Sequence, residues 1–321
     1  MNPVTGRFAP TPSGYLHLGN LFSSLLAWLS AKSLGGKILL RNEDLDPDRS
    51  RKEYALQAQR DLERLGLFWD EGGSLGGPHG PYDQSLRFDL YSSQLAKLES
   101  QGLVYPCFCT RAQLHAASAP HASDGELLYA GTCRDLTRQE IAERSRTRSP
   151  ALRLRVPEET ISFSDLHYGP QQQYLPTDCG DFILRRSDGV YAYQLAVVAD
   201  DAAMEVTQVV RGRDLLSSTP RQILLYQLLG YSPPEFAHTP LLLAPGGRRL
   251  SKRDGDLSLA RLLESGWTPR DIVGNLAYLA GLLPEPGPAW PEELLPLFSW
   301  EKVPREDVVI PDDLFQHRRV F

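Results

Sequence analysis

The sequence predicts an α/β fold: a doubly wound parallel sheet, broken by an inserted α+β subdomain and followed by a helical C-terminal segment. Three observations predict it. Strand-like and helix-like segments alternate through the first hundred residues. The alternation breaks from about Val104 to Pro176, a stretch that holds three of the four cysteines. It resumes near Asp181 and turns helical beyond about Arg261.

Each element has a local reason. Arg7–Ala9 reads as a short strand. From Asn20 to about Ser33, Leu21, Phe22, Leu25, Leu26, Trp28 and Leu29 recur at helical spacing, and Gly35-Gly36 stops the helix. Lys37–Arg41 reads as a buried strand. Ser50–Leu65 is predicted helical, with Tyr54, Leu62 and Leu65 as apolar positions and Gly66 as the stop. Residues 72–80 form a glycine-rich loop, and Leu86–Gln101 another helix. In the middle segment Leu152–Val156 is strand-like and Ser118–Gly125 is polar. Then follow a strand at Asp181–Arg185, an apolar segment at Tyr193–Asp200, a strand at Val206–Val210, a helix at Ser218–Leu229 and a strand-like Thr239–Ala244. No internal repeat is visible. The expected division is 1–103 and 177–260 as the two halves of the sheet domain, 104–176 as the insertion, and 261–321 as the helical end.

At 321 residues the chain can bury a large core and build two lobes. No apolar run is long enough to span a membrane, and no secretory signal is readable, so the expected location is cytoplasmic. Four cysteines are no disulfide scaffold. A net charge of −6 argues mildly against nucleic-acid binding, although the local field decides that question. Basic residues cluster at Arg134–Arg148, Arg185-Arg186, Arg248-Arg249 with Lys252-Arg253, and His317–Arg319. Any one of these alone is explained as a solvated face.

The most informative segment is Arg7–Asn20, RFAPTPSGYLHLGN. Pro and Gly make an irregular turn, and His17, Gly19 and Asn20 stand where a helix starts. Such a turn aims unpaired backbone N–H groups and the positive helix end at an anion. The segment resembles the first signature of class I aminoacyl-tRNA synthetases in the form used by the glutamyl branch, with Asn20 where the general signature has a second His. Asn can donate a hydrogen bond but carries no positive charge. Arg249-Leu250-Ser251-Lys252-Arg253 resembles the second, Lys-Met-Ser-Lys-Ser signature of the class. It is a basic loop whose Lys252 would bring charge to a transferring phosphate. The resemblance implies a Rossmann-type catalytic domain, ATP bound as its Mg2+ complex at His17, Gly19, Asn20 and Arg249–Arg253, and His17 and Lys252 as the catalytic residues.

A free glutamate offers two carboxylates and one ammonium, so its pocket needs two cations and an anion. The resemblance carries glutamate binding to Arg7, Ala9 and Thr11, with Phe8 and Pro10 in the same run, and to Glu43, Tyr193 and Arg211. The plainer reading of Glu43 or Arg211 is a salt bridge, with each other or with Asp200 or Asp201. No protein nucleophile is needed, because the glutamate carboxylate itself attacks the α-phosphate. Cys107-x-Cys109 and Tyr129-x-x-x-Cys133 resemble the family's structural zinc site. Imidazole is the more usual zinc ligand, so His121 stands as the alternative to Tyr129 as fourth ligand, and His115 lies in the same loop. Cys179 reads as a core residue.

The chain ends about seventy residues after Lys252, which is short for an anticodon-reading region. That pattern is similar to the glutamyl-queuosine tRNA(Asp) synthetase family. The resemblance implies activation of L-glutamate without tRNA, then transfer to the queuosine base in the anticodon loop of tRNA(Asp), by a monomer. The alternatives are a truncated glutamyl-tRNA synthetase charging the 3′ end, a small-molecule nucleotidylyltransferase, and a non-catalytic tRNA-binding relic.

Overall fold

The structure is a computed structural model that describes residues 3–110, 113, 128–250 and 257–315. Its first half holds β1 (Thr5–Phe8), α1 (Leu18–Lys32), β2 (Lys37–Leu40), α2 (Lys52–Arg64), β3 (Glu71–Gly72) and α3 (Phe88–Ser100). The middle holds β4 (Val104–Cys107), α4 (Arg138–Ser145), β5 (Ala151–Leu154), β6 (Thr160–Asp165), β7 (Gly169–Tyr174) and α5 (Leu175–Asp178). Then come β8 (Ile183–Arg185), α6 (Tyr193–Ala203), β9 (Gln208–Gly212), α7 (Thr219–Leu229), β10 (Glu235–Thr239) and β11 (Leu242–Leu243). Last are α8 (Leu259–Glu264), α9 (Pro269–Leu279), α10 (Pro291–Leu294) and β12 (Val308–Val309).

β1, β2 and β3 form one parallel sheet, and β7-β6-β10-β9 a second, mixed one. The two meet edge to edge, where Thr207 N donates to Thr5 O and Thr5 N to the Thr207 hydroxyl. Strand order therefore reverses between β1 and β9. In open α/β sheets that reversal opens a crevice at the carboxyl ends of the strands.

Helices cover both faces, and the strands show why. Ile38, Leu40, Val210 and Ala237 join one core with α1, α2 and the C-terminal helices. Their alternates Leu39, Val209 and Phe236 join the other with α3, α6 and α7. A strand buried on both sides reads as a continuous apolar run, as in Lys37–Leu40. In α1 the side chains of Leu21, Phe22, Leu25 and Leu29 are fully buried, each worth about 1.5–3 kcal/mol of transfer free energy.

Several expectations are corrected. The hairpin β6–β7, read from sequence as part of the insertion, joins the second sheet, with Asp165 in parallel register beside Phe236. β8, expected in the resumed α/β pattern, pairs instead with β5 and completes a sheet β4-β5-β8. Pairing partners are set by packing between distant segments, which local pattern does not encode. Thr239–Ala244 is two strands rather than one, β10 ending and β11 beginning on either side of Pro240, which has no N–H for a ladder. The apolar segment from Tyr193 is helical. The C-terminal segment is not helical throughout, because β12 lies parallel to β11. No described helix is long and apolar enough to cross a membrane.

Candidate active site

A cleft of about 580 Å3 opens at the strand reversal. It is lined by Arg7, Phe8, Ala9, Pro10 and Thr11 from the end of β1, His17, Gly19 and Asn20 at the start of α1, and Glu43 after β2. Tyr193 from α6, Arg211 from β9, and Arg249 and Leu250 also line it. Residues separated by more than two hundred positions thus share one cavity. Ser251, Lys252, Arg253, His115 and His121 lie outside the described residues. Their neighbours are placed: Leu250 faces Gly19, and Ser258 bridges to His17. Leu250 and Ser258, on either side of residues 251–256, therefore both stand against the first signature.

His17 is the N-cap of α1. Its Nδ1 accepts from Asn20 N at 3.3 Å, and Asn20 Oδ1 accepts from His17 N at 3.2 Å. This reciprocal capping box gives Asn20 a structural use that a second His would not share in the same form. Gly19 lets the His17 ring fold back, since a Cβ there would meet that ring at 3.1 Å.

Beneath the cleft lies a buried charge network. Arg41 Nη1 donates to Asp201 at 2.6 Å and Nη2 to Glu43 at 3.1 Å, and Nε stands 3.7 Å from Asp200. Arg87 Nε donates to Asp200 at 2.6 Å, and Tyr91 and Gln84 also donate to it. Arg41 is held charged well above its usual range: burial opposes this, but Asp201, Asp200 and Glu43 outweigh it. Burial raises the Glu43 pKa, while Arg41 and Arg7 pull it back. Arg7 donates from Nη1 to Val210 O at 3.0 Å and lies 3.8 Å from Asp201, and its buried Nε makes no hydrogen bond.

Arg211 differs. It donates to His238 Nε2 at 3.0 Å, to Gln222 Oε1 at 2.8 Å, to the Thr219 hydroxyl at 2.8 Å and to Leu215 O at 3.3 Å. All four acceptors are neutral, and no ion pair to Arg211 is present among the described residues. The salt bridge considered between Glu43 and Arg211 does not form, because Arg41 takes Glu43. Arg41 and Arg87 as partners of Asp200, and His238 and Asp165 behind Arg211, escape sequence reasoning. Only the charged strand end Arg41–Asp44 hints at them.

A family model for the catalytic domain of class I tRNA synthetases (E and Q) matches residues 3–287. A glutamyl-Q tRNA(Asp) synthetase from Symbiobacterium thermophilum is 55% identical over 311 residues, 96% of each chain. One from Nitratidesulfovibrio vulgaris is 51% identical over 97% of each chain. The chain belongs to the glutamyl-Q tRNA(Asp) synthetase family of class I tRNA synthetases. It is a ligase of that class. A solved glutamate tRNA ligase from Elizabethkingia meningosepticum, in complex with its amino acid, is 29% identical with a TM-score of 0.83. That match covers 98% of this chain and 68% of the ligase.

Cys107, Cys109 and Cys133 converge, their sulfur atoms all within 4.8 Å of one another. The Tyr129 hydroxyl stands 3.5 Å from Cys107 Sγ and 3.7 Å from Cys109 Sγ, so three sulfurs and one oxygen surround one point. The donor set fits a tetrahedral metal ion. Cys133 N donates to the Tyr129 oxygen at 2.7 Å, and the Arg153 guanidinium lies 3.8 Å above the Tyr129 ring. Both contacts orient the phenol. Cys179 is buried in the core between sheet and helices.

Proposed function

We propose that the chain activates L-glutamate with Mg2+-ATP, without tRNA, and transfers the glutamyl group to the queuosine base in the anticodon loop of tRNA(Asp). The observation that carries the first half is the Arg7–Glu43–Arg211 arrangement in one cleft. Arg211, held only by neutral acceptors, and Arg7, with an unused buried N–H, offer cations to two carboxylates. Glu43 offers the anion for the ammonium. Tyr193 stays a neutral phenol, since burial raises its pKa, and can donate a hydrogen bond.

In this reading the α-carboxylate oxygen attacks the α-phosphorus of ATP. A P–O bond forms, the bond to the leaving pyrophosphate breaks, and glutamyl-adenylate results. His17, the α1 N-terminus, Arg249 and Lys252 stabilise the phosphate charge. Cys107, Cys109, Cys133 and Tyr129 would hold one structural Zn2+, which ties the end of β4 to the segment before α4. The relatives, which are glutamyl-Q tRNA(Asp) synthetases, support the second half, and the setting is a cytoplasmic monomer.

Glutamate-dependent ATP–pyrophosphate exchange without tRNA tests the first half. Exchange with a different amino acid only would overturn it. Mass spectrometry of tRNA(Asp) after incubation with glutamate and ATP tests the second. A gain of one glutamyl group on the queuosine nucleotide is expected, and label at the 3′-terminal adenosine would replace this reading by that of a glutamate–tRNA ligase.

A further inference from the structure

Behind Arg211 stands a pair of buried groups that do not line the cleft. His238, on β10, is wholly buried, and its Nδ1 lies 2.6 Å from Asp165 Oδ2. The other ring nitrogen, Nε2, faces Arg211 Nε at 3.0 Å. An arginine N–H can only donate, so Nε2 must be the bare, accepting nitrogen and Nδ1–H the donor to Asp165. Burial pushes the His238 pKa down to about 4, with Asp165 opposing and Arg211 assisting, so the ring is neutral. Asp165 is itself locked. Its Oδ1 accepts from His167 N at 2.9 Å and Tyr168 N at 2.8 Å, at the turn between β6 and β7.

We propose that Asp165 and His238 are positioning residues for substrate glutamate. They orient the Arg211 fork through a neutral imidazole, so that its charge remains available to a carboxylate in the cleft. This rests on the reading of Arg211 as a glutamate-binding residue. The logic is electrostatic. A carboxylate in direct contact would have oriented Arg211 equally well but would have competed with the substrate for the same charge. The imidazole passes on Asp165's orientation while keeping its charge one ring away. The pairing of β6 with β10 in the second sheet brings Asp165 to His238.

The test is exchange kinetics of this chain with glutamate and ATP each varied at saturating levels of the other, with thermal unfolding of each variant alongside. His238→Leu removes the acceptor and Asp165→Asn removes the charge that fixes the tautomer. Each should raise KM for glutamate by about 10-fold or more, with kcat and the KM for ATP within about 3-fold. His238→Gln, which can still accept from Arg211, should return KM close to the parent value. Should His238→Leu fail to fold, Asp165→Asn and His238→Gln carry the comparison. Arg211→Ala separates the two failures. If it raises KM while Asp165→Asn does not, the positioning role is wrong and the glutamate reading stands. If Arg211→Ala leaves KM unchanged, the glutamate reading itself falls.

Discussion

Arg41 Nη1 and Asp201 Oδ1 lie 2.6 Å apart, both buried, and join β2 to α6 across the floor of the cleft. Removing one partner of such a pair leaves a buried charge uncompensated, which typically costs about 3–5 kcal/mol. Asp200 remains 3.7 Å from Arg41 and softens the loss. Asp201→Asn should therefore destabilise the fold by about 3 kcal/mol, seen as a lower urea midpoint with unchanged slope. A change below about 0.5 kcal/mol would mean the pair is not a stabilising element.

Glu43 sits between that network and the cleft, with Arg41 as its partner. Glu43→Gln keeps the shape but removes the anion offered to the substrate ammonium. The KM for glutamate in pyrophosphate exchange should rise about 10–100-fold, or about 1.4–2.8 kcal/mol, while the KM for ATP stays within about 2-fold. If both constants rise together, Glu43 serves the cleft as a whole rather than the amino acid.

The sulfur cluster makes a separate prediction. Elemental analysis should find one zinc per chain, and Cys133→Ser should lose it. Tyr129→Phe should lower zinc affinity by at least about 10-fold, the order seen when even an outer-shell partner is removed. Unchanged affinity would pass the fourth position to another group, with His121 the first to test.

His238 also sets an acid limit. Its folded pKa, about 4, lies below the unfolded value of 6.5, so between those pH values the unfolded chain binds more protons. Stability is then present above pH 6.5 and is lost as pH falls toward 4, at up to about 1.4 kcal/mol per pH unit. Asp165, whose pKa is held below its ordinary 3.8 despite burial by the His238 hydrogen bond, adds a further loss only at lower pH. Urea titrations at pH 5 and 6.5 should show a shallower slope for His238→Gln than for the parent. Equal slopes would place the acid sensitivity elsewhere.

Much of the site was legible because it is contiguous. Arg7–Thr11 and His17–Asn20 form one run, and a turn that enters a helix carries its chemistry in neighbouring residues. Cys107 and Cys109 sit on one strand end, and Cys133 follows Tyr129 by one helical turn's spacing. What stayed hidden has its halves far apart. Arg41 and Asp201 are 160 residues apart, and His238 and Asp165 are 73. A charged residue in a sequence does not announce which opposite charge it will meet. Even Asp200 and Asp201, considered beforehand as partners for Arg211, go to Arg87, Arg41 and Arg7.

The sequence by itself determined the α/β alternation, the two signatures and the residue types an amino-acid and nucleotide site requires. These depend on local backbone geometry and periodicity, which a single stretch of chain carries. Tertiary structure alone decided which cations are spent and which remain available. Arg41 and Arg87 are neutralised by Asp200 and Asp201, whereas Arg211 rests on His238, Gln222 and Thr219 and keeps its charge. Charge compensation falls off with distance in space, not along the chain, so only the folded packing of β1, β2, α6, β9 and β10 could assign it.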